Sequence, residues 1–196
     1  MSDPFGNAPY MVVDGPRNQE CERTYILVDL GTNKTAPMPT KAPTPKNKNI
    51  ESYKVDFANQ AWYEAVNLSS TTKIPAEIIF AQACIESSYG KHNNFIKGNN
   101  AFNIKGTGPA GYVIMKNAIE WDKSGNAYYE NAKFKAYNSV SESYQDFGNL
   151  INSRYRNYIS GNSLQDWADA MYTGGYATYA GYSSLIMDTI GFWGLK

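Results

Sequence analysis

The sequence predicts an α+β fold, mainly α: a helical body with a small β-hairpin lobe, preceded by a short β-containing N-terminal arm. Three observations carry this reading. After residue 50, apolar side chains recur at helical spacing. Between residues 112 and 137 that spacing gives way to short strand-like runs around a turn. Before residue 50, a stretch rich in Lys, Thr and Pro divides the chain. A chain of 196 residues can build one good core plus an appendage, not two full domains.

In chain order, Tyr10-Met11-Val12-Val13 and Thr24 to Leu30 read as strands. Two short strands do not make a stable domain alone, so residues 1–30 are expected to be an arm that docks on a protein assembly. Gly31 to Lys48 contains no acid and almost nothing to bury, which predicts an extended, semi-rigid linker over 31–50. The remaining residues, 51–196, form the main domain. Phe57, Ala58, Ala61, Trp62, Ala65 and Val66 predict a helix from Val55 to Leu68, closed by a Ser69–Thr72 loop. The next helix runs from Ile74 to Gly90, with Pro75 in its first turn and Gly90 as its stop.

Lys91 to Asn100 is rich in Asn and Gly and reads as a loop. Tyr112–Met115 and Ala118–Trp121 are expected as short strands before an Asp122–Asn126 turn, with Asn131–Tyr137 returning. Helices follow over 140–155, 163–171 and 182–193, the first opened by a capping box of Ser139 and Glu142.

Composition excludes several function classes. The 18 basic residues equal the 18 acidic ones, so no net field draws nucleic acid or an anionic membrane. No apolar run is long enough to insert in a membrane. Residues 1–20 lack the basic start and apolar core of a secretory signal, which predicts delivery by some other route. Cys21 and Cys84 do not make a disulfide framework, and Cys84 reads as a small buried thiol. The single histidine, His92, excludes a multi-histidine zinc site and reads as a solvated loop residue. No cluster demands a metal, and no phosphate-cradling glycine loop calls for a cofactor. The 16 Tyr and 4 Trp suit a sugar- or peptide-binding groove, although most tyrosines are expected in the core.

Glu86 is the residue with chemical promise. A carboxyl on a mostly apolar helix binds its proton tightly, which a general acid needs near neutral pH. It shares a helix face with Ile79, Gln82, Ala83 and Tyr89. The bland alternative is a surface glutamate closing an amphipathic helix, and on this helix alone that is the commoner case. Cleaving a glycosidic bond takes such an acid and usually a second carboxylate. Glu120, beside Trp121 at the end of a strand, is one candidate. Asp122, Glu130, Glu142 and Asp146 are close in sequence, and residue chemistry does not choose among them.

Four segments narrow the choice. Ala81 to Gly90, reading Ala-Gln-Ala-Cys-Ile-Glu-Ser-Ser-Tyr-Gly, resembles the catalytic-helix signature of the bacterial N-acetylglucosaminidases of glycoside hydrolase family seventy-three. Asn100-Ala101-Phe102-Asn103-Ile104-Lys105-Gly106 is similar to that family's Asn-Leu-Phe-Gly-Ile-Lys-Gly segment. Phe134-Lys135-Ala136-Tyr137 followed by Glu142-Ser143-Tyr144-Gln145-Asp146-Phe147 resembles its Phe-x-x-Tyr … Glu-Ser-Phe-x-Asp-Tyr stretch, and Gly174 to Thr178 its Gly-Tyr-Ala-Thr signature. Together they span nearly all of residues 51–196.

The resemblance implies a lysozyme-like fold, an endo-acting glucosaminidase, and peptidoglycan glycan strands as substrate. It implies Glu86 as catalytic acid, Glu120 as second acidic residue and Tyr176 as an active-site tyrosine, with Asn100, Phe102, Tyr89 and Tyr137 as substrate-binding residues. The second acid acts as base or stabiliser, or the substrate's own 2-acetamido group attacks instead. Two departures stand out. Asn103 replaces the usual glycine, and Tyr179-Ala180 replaces Asp-Pro; both are expected to alter subsite detail without touching the acids. An arm, a linker and a wall-cutting domain suit a hydrolase carried in a phage tail. A toxin delivered by a secretion machine, a flagellar-rod hydrolase, a lytic transglycosylase and a non-catalytic wall-binding module are the alternatives.

Overall fold

A computed structural model describes residues 10–14, 25–29, 43–121, 127–177 and 179–195, with the side chains of the first two segments and of 117–128 and 130 outside the description. The chain divides into two compact units, Met1–Lys41 and Ala42–Lys196. In the first, β1 (Tyr10–Asp14) and β2 (Tyr25–Asp29) pair antiparallel, Tyr10 opposite Asp29 and Asp14 opposite Tyr25. Cys21 and most of the expected linker lie outside the described residues.

The second unit starts earlier than the composition suggested. Thr44 N–H donates to Trp193 O at 3.0 Å and Lys46 N–H to Phe192 O at 2.8 Å, so residues 43–50 are a strap rather than free linker. Pro43 and Pro45 have no N–H, and in an extended run the alternate residues Thr44 and Lys46 present theirs to one side. They meet carbonyls that a helix C-terminus leaves without partners.

Helix α1 spans Ser52–Thr72 and so includes the expected Ser69–Thr72 loop. Its hydroxyls explain the difference: Ser70 donates to Asn67 O, and Thr71 and Thr72 both donate to Leu68 O, capping carbonyls from within the last turn. Helix α2, Ala76–Glu86, is buried along Ile78 to Cys84 with no polar face, which removes the amphipathic alternative. Each large apolar side chain on it contributes about 1.5–3 kcal/mol on burial. Phe80 meets the Trp62 and Trp193 rings edge-on, at 5.8 and 6.0 Å between centroids.

Helix α2 ends at Glu86, four residues before its expected stop. Ser88, Tyr89 and Gly90 all adopt left-handed backbone, with φ of 50, 53 and 79°. Gly90 is needed there for a second reason: a Cβ would stand 2.9 Å from the Phe57 ring. The bonds from Tyr89 N–H to Cys84 O and from Gly90 N–H to Ser87 Oγ hold this turn against its backbone cost.

The expected Lys91–Asn100 loop contains a short helix, α3 (Asn93–Gly98), capped by His92, whose Nδ1 accepts from Asn94 N–H. His92 is half-buried in this capping role rather than solvated. Strands β3 (Tyr112–Trp121) and β4 (Ala127–Lys135) form one antiparallel hairpin with a bulge between Met115 and Ala118. The two short strands expected before the turn are therefore one bulged strand, and the return strand starts and stops earlier than expected. The Asp122–Asn126 turn lies outside the described residues. Helix α4 (Val140–Leu150) continues as a π-helical turn, Ile151–Tyr155, and a 3-10 turn, Arg156–Tyr158. Ser139 caps α4, but Glu142 reaches back to Asn138 N–H instead of completing the box. The complete capping box is Ser163 with Asp166, opening α5 (Leu164–Thr173). Helix α6 (Tyr182–Phe192) closes the body. α1, α5 and α6 all pack on α2, so α2 is the central rod of the domain.

Candidate active site

Glu86 is the last residue of α2 and is half-buried. Both carboxylate oxygens are held. Tyr182, buried at the start of α6, donates its hydroxyl to Oε1 at 2.6 Å, and Asn103 Nδ2 donates to Oε2 at 3.0 Å. Gln82 Nε2, one turn back on α2, donates to the Tyr182 oxygen at 3.2 Å. That bond occupies a lone pair and turns the Tyr182 proton toward Glu86. Burial raises the Glu86 carboxyl above its ordinary proton affinity, and the bonds from Tyr182 and Asn103 pull the other way. Its place at a helix C-terminus, the negative end of the macrodipole, also disfavours the carboxylate ion. The balance is a carboxyl that keeps its proton to higher pH than a solvated glutamate.

Tyr176 stands next to this pair. Its ring stacks on Tyr182 at 6.2 Å and 20°, and its hydroxyl donates to Phe102 O at 2.7 Å. Burial raises the Tyr176 hydroxyl well above its ordinary range, and the nearby Glu86 charge adds to that. Gly174 permits the approach of Tyr155, whose ring lies 5.6 Å from Tyr176, because a Cβ there would stand 2.6 Å from Tyr155.

The other expected site residues divide. Phe102 joins the cluster through its carbonyl, while its ring is buried and stacked on Phe147 at 4.0 Å. Asn100 is fully buried, and its side chain is spent on backbone: Nδ2 donates to Ile104 O and Lys135 O, and Oδ1 accepts from Phe102 and Ile104 N–H. Both therefore brace the loop behind Glu86 and present no side-chain surface to a ligand. Tyr137 is also buried, its hydroxyl donating at 2.6 Å to Asp146, which Lys135 pairs at 2.7 Å. Tyr89 is not brought to the Glu86 carboxyl. Once the chain turns left-handed after α2, its ring packs against Phe57 and Trp193 and lines a separate cavity of about 420 Å³ with Ile50, Lys54 and Phe192. Glu120 lies near the end of β3 with its backbone opposite Tyr128, and its side chain falls outside the described residues.

Two residues of the cluster were not legible in the sequence. Tyr182 looked only like the start of a helix. Asn103 is expected from sequence to leave the acids untouched, yet its amide donates to both Oε2 and the backbone O of Glu86. The available signal was an asparagine in a slot where the resembling segment carries glycine. Among the described residues, no three His, Cys, Asp or Glu side chains gather as a metal-holding group.

A family model described as Glucosaminidase, mannosyl-glycoprotein endo-beta-N-acetylglucosaminidase, matches residues 62–192. The peptidoglycan hydrolase FlgJ of Escherichia coli (strain K12) is 30% identical over 141 residues, covering 68% of this chain and 45% of that protein. The exo-glucosaminidase LytG of Bacillus subtilis (strain 168) is 29% identical over 116 residues, covering 56% of this chain and 40% of that one. The chain thus spans less than half the length of these relatives. Among solved structures, the catalytic domain of the autolysin Auto from Listeria monocytogenes superposes with a TM-score of 0.63 at 26% identity, covering 76% of this chain and 89% of that one. The mainly helical body with one small hairpin is the fold shared with such hydrolase domains, as the lysozyme-like expectation required.

Proposed function

The chain belongs to the glucosaminidase family of glycoside hydrolases, and on that premise we propose that it cleaves the β-1,4 bond between N-acetylglucosamine and N-acetylmuramic acid in peptidoglycan, with Glu86 as proton donor. The observation that supports this most is the Glu86 carboxyl: half-buried at the end of a buried helix, held at both oxygens, and with its proton affinity raised. In this role Glu86 delivers its proton to the glycosidic oxygen as the bond to the anomeric carbon breaks, and the leaving sugar departs as an alcohol. Glu120 is the proposed second carboxylate. It either activates the water that adds to the anomeric carbon or stabilises the positive charge there.

The test is digestion of purified peptidoglycan by wild type and Glu86→Gln, with mass spectrometry of the products. New reducing N-acetylglucosamine ends support the proposal. Anhydro-muramyl ends point to a lytic transglycosylase, and digestion by neither protein to a non-catalytic wall-binding module. Loss of activity in Glu120→Gln, with folding intact, supports its role.

The wall is the proposed place of action, outside the cell or in the periplasm. For delivery, the arm over residues 1–30 supports docking on a phage tail, whereas the FlgJ relatives favour a flagellar-rod hydrolase. Copurification of the full chain with tail or rod proteins, lost on deletion of residues 1–30, separates the two.

A further inference from the structure

Asn103 occupies a left-handed position, with φ of 51°, where glycine is the cheapest residue and asparagine the most tolerant of the rest. The backbone alone therefore does not call for this side chain. Its polar atoms are nevertheless all engaged. Nδ2 donates to Glu86 O at 2.9 Å and to Glu86 Oε2 at 3.0 Å, while Oδ1 accepts from Nδ2 of Asn94, a buried residue of α3, at 2.9 Å. The Asn94 bond fixes the amide so that its N–H groups, not its oxygen, face Glu86. One side chain thus caps a carbonyl that the end of α2 leaves open and ties the carboxyl to α3.

We infer that Asn103 is a positioning residue that holds the Glu86 carboxyl through Asn94 and sets the upper pH at which the enzyme works. The inference rests on the reading of Glu86 as proton donor. A general acid must be protonated, so activity is lost as pH rises through its pKa. An N–H donor favours the ionised form and brings that loss to lower pH. Among the described residues, the titratable groups that act on the carboxyl are Tyr182 from α6 and Tyr176 from the segment before it. Asn103 is a neutral donor among them, and its removal acts in a known direction.

The test compares the pH profile of kcat/KM on purified peptidoglycan for wild type, Asn103→Gly and Asn103→Asp, with Glu86→Gln as reference. Glycine keeps the left-handed backbone and removes both bonds to Glu86 and the one from Asn94. The alkaline limb is expected to move up by about one pH unit, the size of one hydrogen bond to a charged group. Aspartate keeps the shape and the tolerance of left-handed backbone but sets a like charge about 3 Å from Glu86, so the limb moves further up. It also carries the test should the glycine variant fail to fold. A purely structural cap predicts lower melting temperatures with the limb unmoved, and that result overturns the inference while leaving Glu86 as the acid. If Glu86→Gln digests peptidoglycan as fast as wild type, the acid reading itself fails, whatever the Asn103 variants do.

Discussion

Tyr182 and Glu86, 96 residues apart in sequence, meet in a hydrogen bond of 2.6 Å that joins the end of α2 to the start of α6. The bond has a mechanical and a chemical side. Mechanically, it locks one carboxylate oxygen on the central helix to the last helix of the body. Chemically, it supplies a donor that favours the ionised carboxyl while burial favours the protonated one.

Replacing Tyr182 by Phe removes that donor and leaves the buried Gln82 amide without its acceptor. Tyr182→Phe is expected to lose about 1–3 kcal/mol of stability, the cost of an unsatisfied buried polar group. Its alkaline activity limb moves to higher pH, because the ionised form of Glu86 has lost support. Thermal unfolding and a pH–rate profile on the same protein read both effects.

Tyr176 separates bracing from chemistry. Its hydroxyl is committed to Phe102 O, so Tyr176→Phe is expected to cost about 1 kcal/mol of stability and less than tenfold in kcat/KM. The ring stack on Tyr182 survives the change. A loss on the scale of Glu86→Gln with unchanged melting temperature would give the hydroxyl a direct role at the reacting atoms.

Away from the site, α1 holds a second carboxyl that burial pushes up. Glu64 takes a hydrogen bond from Ser141 Oγ at 2.6 Å, and that bond only partly offsets its desolvation. Its folded-state pKa lies above the unfolded value, so its contribution is fully present below about pH 4.3 and is lost as pH rises through the folded value. Glu64→Gln keeps the acceptor and removes the charge. Its melting temperature is expected to exceed that of wild type at pH 7 and to match it at pH 4.

Much of this was legible from residue pattern, and the exceptions have physical causes. Helix α2 announces itself through Pro75 and an unbroken apolar run, but Ser87-Ser88-Tyr89 also suits a helix. Its end is set by left-handed backbone that no local propensity reveals. Helix α3 is six residues of Asn, Phe, Ile, Lys and Gly, too short for an apolar period, and it holds through its His92 cap and the Asn94 contact with Asn103. Val140 to Tyr155 reads as one helix, yet its final turn widens to π geometry. At the site, the position of Glu86 was readable because burial follows from the composition of its own helix. Its holders were not, since Asn103 and Tyr182 reach it across folded space.

The central claim is that Glu86 supplies the proton. Glutamine at this position has the same shape, and its one amide oxygen still accepts from Tyr182, so the change removes the transferable proton together with the acceptor that Asn103 meets. The most direct measurement is the rate at which wild type and Glu86→Gln release reducing N-acetylglucosamine ends from purified peptidoglycan at the wild-type optimum. The account predicts a loss of at least about a hundredfold, the typical contribution of a general acid, in a protein that still unfolds cooperatively. Equal rates for the two proteins would contradict it.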